Sequence, residues 1–196
     1  MSSVEESMSD EEIVKLALEK QFYFGHIVER YQDKLRRYIN RLGVRNAEDQ
    51  EDVLQDIFVK VYKNLNGFDT SLSFSSWIYR IAHNEAVSWY RKAKVRPEGH
   101  LVAESELMIS LLKSDGAGEE EKFDAKIDSV EVGKALYSLE EKYRDVLILR
   151  FFEHLEYEEI SDILKIPTGT VGTLVHRGKK KLRECLPEQV INSYET

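Results

Sequence analysis

Cysteine, proline and long apolar runs are what this chain has least of, with one Cys and three Pro in 196 residues. A lone Cys185 can close no internal disulfide and build no cysteine-based zinc site, so nothing calls for an oxidising compartment. No stretch approaches the roughly 20 consecutive apolar residues of a membrane span. The acidic opening, Met1 to Asp10, is the reverse of a secretory leader, which is basic and then apolar. A soluble, cytoplasmic protein with no direct membrane insertion is the expectation. Only 10 glycines accompany the three prolines, too few turn residues for a sandwich or barrel. Walker loop, dinucleotide fingerprint and nucleophile elbow are absent. The five histidines, His26, His83, His100, His154 and His176, stand too far apart for zinc-ligand spacing. No catalytic residue, metal or cofactor is therefore assigned, and an enzyme is not expected.

What the chain does have is charge and helical periodicity. The net charge of −8 alone argues against a nucleic-acid partner. Its distribution argues otherwise. Residues 21–97 carry 13 basic and 9 acidic residues, and 164–196 carry 6 and 3, whereas 1–20, 98–130 and 131–163 are net acidic. Phosphate binding follows the local field of a surface more than the total charge, so two basic regions keep DNA in view.

Apolar residues recur at helical spacing from Ile27 through Tyr31, Leu35, Tyr38 and Ile39, then Val53, Ile57 and Val61, then Ile78, Ala82 and Ala86. A second set runs from Ala135 and Leu136 through Val146, Leu147 and Leu149, then Ile160 and Ile163, then Val171, Leu174 and Val175. Between them, Pro97, Gly99, Gly116, Gly118 and Glu119-Glu120-Glu121 describe a flexible acidic linker, with a short helix expected at Leu107–Leu112. The fold class is accordingly all-α, two small helical domains joined by that linker. The expected boundaries are an acidic extension at 1–20, a first domain at 21–97, a linker at 98–130, a second domain at 131–186 and a tail at 187–196.

Two constellations carry the chemistry. Tyr157 to Val171 has the grammar of a helix-turn-helix: Ile160, Ile163 and Leu164 on one face, small Ser161, Ile166 as a plug, and Pro167 with Gly169 as a stop and restart. The helix that follows keeps Thr170, Thr173, His176, Arg177, Lys179 and Lys180 largely off its apolar side, as a major-groove reader requires. Earlier, Phe68 and Asn84 precede a cationic end, Tyr90, Arg91, Lys92, Lys94 and Arg96, suited to holding unstacked bases above a tracked backbone. Aromatics at helical spacing are most often core, and core packing is the default reading for Phe74, Trp77, Ile78 and Ile81.

Residues 22–97 resemble the second conserved region of a bacterial sigma factor and 131–186 its fourth region, in the compact arrangement of the extracytoplasmic function group. Three phrases in order carry the resemblance: Ala47-Glu48-Asp49 through Gln55-Asp56-Ile57-Phe58, Trp77 through Asn84, and Ile166 through Val171. It implies that Asp49, Asp52, Gln55 and Asp56 dock on the β′ coiled coil of core RNA polymerase, with the β flap as a further contact. It implies that Phe68 and Asn84 sit at the pocket for a flipped minus-ten base, with Tyr90 to Arg96 along nearby DNA. The second helix of the helix-turn-helix would face the minus-thirty-five element, and an anti-sigma factor is the expected regulator. The third region is missing. Gly172 and Leu174 replace commonly basic positions, and Gly178 costs the helix about 1 kcal/mol relative to Ala. A stand-alone helix-turn-helix regulator and a degenerate sigma-like polymerase adaptor remain alternatives.

Overall fold

The computed structural model describes residues 8–70, 72–95 and 129–186. Among these are the α-helices α1 (Asp10–Glu19), α2 (Phe24–Arg41), α3 (Ala47–Asn64), α4 (Phe74–Val95), α5 (Ser129–Ser138), α6 (Glu141–Phe151), α7 (Tyr157–Leu164) and α8 (Thr168–Cys185), and no strand. The chain forms two compact units, one of residues Met1–Arg96 with Glu153–Thr168, the other of Pro97–Phe152 with Gly169–Thr196. The expected linker and its short helix lie outside the described residues, as does the tail.

In the first unit the acidic N-terminal segment does structural work. Ser9 starts α1 by a reciprocal pair, its hydroxyl accepting from the Glu12 amide at 3.2 Å and its own amide donating to Glu12 Oε2 at 2.8 Å. The helix then buries Ile13, Val14 and Ala17. Asp10 takes a 2.8 Å bond from Arg30 and one from the Tyr31 hydroxyl, tying α1 to α2. Burial and the Asp10 carboxylate together push the Tyr31 pKa upward.

α2 buries Ile27, Tyr31, Leu35, Tyr38 and Ile39, the spacing of one helical stripe. It stops where Gly43 adopts φ 108°, a conformation other side chains resist. The amides of Gly43 and Val44 donate back to Asn40 and Ile39 carbonyls at 3.0 Å, closing the helix end. Asn46 Oδ1 then accepts from the Glu48 amide at 2.8 Å and opens α3. Buried Gln50 pins the corner, donating to the Val44 carbonyl at 2.9 Å and to Asn40 Oδ1 at 3.0 Å. α4 lays Phe74, Ile78, Ala82 and Ala86, four residues apart, into the same core.

The segment Glu153–Thr168 carries α7, which buries Ile160 and Ile163 and ends on Lys165 with φ 56°. Small Ser161 also supplies a hydrogen bond. Its hydroxyl donates to the Ile166 carbonyl at 2.6 Å and bridges the turn.

In the second unit, Tyr143 and the run Val146–Leu149 of α6 are buried. Gly178 of α8 meets them: a Cβ built there would lie 3.2 Å from Leu147 Cγ and Cδ1. The glycine is thus a close-approach position. Asp145 is 5% exposed. Burial is the main cause raising its pKa to about 7, with the neighbouring Arg144 pulling it down and Glu141 pushing it up.

Two outcomes follow for stability. Gly178→Ala gains about 1 kcal/mol of helix propensity but overpacks against buried Leu147, a cost of about 2 kcal/mol. A net loss near 1 kcal/mol is expected in urea unfolding, whereas Gly169→Ala, with nothing within 4 Å, loses none. Folded Asp145 holds its proton more tightly than the unfolded chain does, so its contribution to stability declines as pH rises from about 4 to about 7. Asp145→Asn is expected to flatten that decline and to add about 2 kcal/mol at pH 8. An unchanged pH profile of unfolding would contradict it.

Candidate nucleic-acid interface

A cavity of about 510 Å³ opens between the C-terminal half of α3 and the middle of α4, lined by Lys60, Asn64, Gly67, Trp77, Ile81, Asn84 and Glu85. That volume lies within the range of small-ligand sites, about 300–1,000 Å³. Helical spacing assembles it. Lys60 and Asn64 are one turn apart on α3; Trp77, Ile81, Asn84 and Glu85 fall within two turns on one side of α4. Half-buried Trp77 and Ile81 supply apolar wall, and exposed Asn84 supplies an amide with both donors and acceptor. Lys60 and Glu85 close the wall with a 2.5 Å ion pair, and Asn64 donates to the Lys60 carbonyl at 2.7 Å. An unstacked aromatic ring could lie against Trp77 with its polar edge at Asn84.

Phe68 stands elsewhere than expected. At 7% exposure it does not line the cavity but packs behind it, its ring 5.4 Å from Phe74 and 5.1 Å from Trp77. Trp77, assigned to core from the sequence, is the aromatic that reaches the cavity. Lys60, Asn64 and Glu85 were not singled out, although their i, i+4 and cross-helix placement relative to Asn84 was the available signal. Along the rest of α4, Tyr90, Arg91 and Lys92 are exposed. Lys94 belongs to the same helix, and Arg96 lies outside the described residues.

On α8, Thr170, Thr173, His176, Arg177, Lys179 and Lys180 are all exposed, opposite buried Val171, Val175 and Gly178. Their hydrogen-bonding capacity is not all outward. The Thr173 hydroxyl donates to the Gly169 carbonyl at 3.0 Å, leaving it an acceptor. Lys179 lies over the Phe151 ring at 4.7 Å, and Lys181 over Tyr143 at 5.3 Å while 3.7 Å from Glu140. Lys142, at 2.8 Å, is the main cause holding the exposed Glu140 carboxyl below its ordinary pKa. Two of the three consecutive-run lysines therefore lean back on their own unit. Cys185 is exposed.

Asp52, Gln55 and Asp56 share the exposed side of α3, with Asp49 half-buried beside them. Glu48 and Glu51 enlarge the acidic surface, and exposed Val59 continues it toward the cavity. The structure thus separates the three expected residue groups onto an acidic helix face, a cavity with a cationic helix end, and the outer side of α8. Among the described residues no His, Cys, Asp and Glu group has a metal-binding arrangement, and no helix is long and apolar enough to cross a membrane.

The model of sigma-70 region 2 matches residues 27–96, and that of sigma-70 region 4 matches 129–182. The chain is 36% identical over 168 residues to the ECF RNA polymerase sigma factor SigW of Bacillus subtilis (strain 168), covering 83% of this chain and 88% of that one. CnrH, solved in complex with the cytosolic domain of CnrY, shares the fold with TM-score 0.67 at 23% identity, over 89% of this chain and 95% of its own. RpoE from Bartonella quintana, solved with the anti-sigma factor NepR, does so with TM-score 0.61 at 23% identity, over 83% and 95%.

The placement of Phe68 has a measurable consequence. Phe68→Ala is expected to cost about 3 kcal/mol in unfolding free energy, as for a buried aromatic, while Asn84→Ala changes stability by less than about 0.5 kcal/mol. Equal, small effects in urea titrations would return Phe68 to the surface.

Proposed function

From the premise that this chain belongs to the extracytoplasmic function group of RNA polymerase sigma factors, and is a transcription initiation factor, we propose how its residues divide the work. The modules are residues 21–97 and 131–186, with 1–20, 98–130 and 187–196 as extension, linker and tail. The α3 face of Asp49, Asp52, Gln55 and Asp56 docks on the β′ coiled coil of core polymerase. A carboxylate-rich face suits a basic partner and favours fast, salt-sensitive encounter. The second module meets the β flap.

The observation that carries the reading is the cavity with Trp77 on its wall and Asn84 at its edge. A minus-ten base leaves the stack, lies against Trp77 and hydrogen-bonds Asn84, while Phe68 supports Trp77 from behind. Tyr90, Arg91, Lys92, Lys94 and Arg96 follow the adjoining backbone. Stacking and hydrogen bonding of this kind are worth about 1–3 kcal/mol per base. Captured bases stay unpaired, so melting needs no bond chemistry, and the protein acts without a catalytic residue, metal or cofactor. Thr170, Thr173, His176, Arg177, Lys179 and Lys180 face the minus-thirty-five element. With Lys179 drawn toward Phe151 and Gly172 and Leu174 uncharged, phosphate attraction there is modest and uncharged readers carry more of the selectivity. The protein works in the cytoplasm, and an anti-sigma factor covers these surfaces when initiation is off.

Run-off transcription with purified core polymerase on a promoter library, alongside core binding, tests the reading. Promoter-selective transcripts support it. Asn84→Ala is expected to lower promoter opening about tenfold without changing core affinity, and Asp52→Lys with Asp56→Lys to weaken core binding. Core binding without transcripts indicates an adaptor, and no core binding indicates a stand-alone regulator.

A further inference from the structure

Three polar side chains on the cavity wall keep hydrogen-bonding capacity that the protein itself does not use. Glu85 takes Lys60 Nζ on Oε1 at 2.5 Å, and its Oε2 has no partner among the described residues. The Asn84 amide has none on either atom, and Asn64, whose Nδ2 donates to the Lys60 carbonyl at 2.7 Å, keeps its Oδ1. The ion pair is unequally placed. Its lysine side chain is 53% exposed and its glutamate 14%, so the carboxylate lies deeper and the ammonium faces outward.

We propose that the Lys60–Glu85 pair sets which base the cavity accepts, selecting one whose Watson–Crick edge carries an exocyclic amine beside an unprotonated ring nitrogen, as cytosine and adenine do. The inference rests on base capture as read above. The amine donates to Glu85 Oε2, and the ring nitrogen accepts from the Asn84 amide. Thymine and guanine carry the opposite pattern on that edge, a carbonyl oxygen beside a ring N–H. Their carbonyl would face the carboxylate, two acceptors with no proton between them, and a desolvated charged oxygen left without a donor is the costly case.

The other lining residues do not choose in this way. Trp77 and Ile81 offer apolar wall that any base can lie against, so they add affinity without selecting, and about 510 Å³ admits a purine or a pyrimidine. Selection falls to the polar groups. A bare carboxylate beside DNA would repel every phosphate that approached. Lys60 cancels that charge and leaves Oε2 an acceptor only, so the pair discriminates by hydrogen-bond pattern and not by field.

The test uses the full chain with core polymerase on a promoter from the run-off library, its minus-ten segment held open by mismatches so that capture alone is read. Each non-template minus-ten base is varied, and the captured position is the one where Asn84→Ala shortens the lifetime of the heparin-resistant complex. There the unsubstituted protein is expected to favour cytosine or adenine over thymine and guanine about tenfold. Removing only the amine, with 2-pyrimidinone for cytosine or purine for adenine, is expected to lose about that tenfold. Glu85→Gln, which keeps the shape but can both donate and accept, is expected to reduce either ratio below about threefold. Lys60→Gln is expected to shorten lifetimes for all four bases while preserving the ratio. Lys60→Glu combined with Glu85→Lys puts a donor in the deeper place and is expected to reverse the ratio toward thymine and guanine; Glu85→Gln and the two base analogues decide alone if that pair loses its helical circular dichroism. A preference for thymine or guanine in the unsubstituted protein, or a ratio that Glu85→Gln leaves intact, overturns the proposal. If Asn84→Ala and the base matter at no position, base capture itself fails instead.

Discussion

Helix α4 has to satisfy three surroundings at once, and the first unit is registered to it. At about 100° per residue, Phe74, Ile78, Ala82 and Ala86 sweep one sector into the core, Trp77, Ile81 and Asn84 a second onto the cavity, and Ser76, Tyr79 and His83 a third toward α2 and the Glu153 segment. Rotating the helix to improve one sector would degrade the others. This is why small Ala82 and Ala86 alternate with bulky residues on the core side: they let α4 approach α2 and α3 closely enough that Tyr38 can bond His83 at 3.1 Å and Lys60 can reach Glu85. The fixed rotation of a well-packed helix is what gives an exposed Asn84 a defined position.

The same geometry explains what could be read in advance. Periodicity alone located α2, α3 and α4 and the buried stripe of each, because burial on one helical face leaves a 3.6-residue imprint. The start of α3 rests on an equally local signal, since Asn46 caps it through its own side chain. The helix-turn-helix was legible down to its turn, although the left-handed residue proved to be Lys165, where Gly169 had suggested the break. Cross-helix placement was the harder part. Whether an aromatic faces core or cavity depends on the neighbouring helix's rotation, so Trp77 lines the cavity where core was expected, and Phe68 is buried where the cavity was expected. The structural part played by α1 was hidden for a related reason: Asp10 looks like surplus charge until Arg30 and Tyr31 arrive from another helix.

Charge in the second unit is spent inward as well as outward. Aromatic faces of Phe151 and Tyr143 draw Lys179 and Lys181 back along the helix surface, and Glu140 adds an opposite charge beside Lys181. A lysine held this way keeps its positive field but gives up part of the freedom it needs to follow a phosphate. Close approach at Gly178 sets this up, since it brings α8 against Leu147 and so within reach of the aromatics at either end of α6.

An acidic protein that must meet a polyanion gains from having its cationic surfaces modest. Strong phosphate contact supplies affinity for any sequence, and non-specific DNA outnumbers promoters by orders of magnitude. The outer side of α8 sets exposed threonines and a histidine beside few outward cations, an arrangement that keeps sequence-independent phosphate attraction small. Binding to core polymerase then restores occupancy by raising the local concentration of the factor at the promoter. Selectivity in such a chain comes from requiring several weak contacts at once, since each alone is too weak to hold the protein on a random sequence.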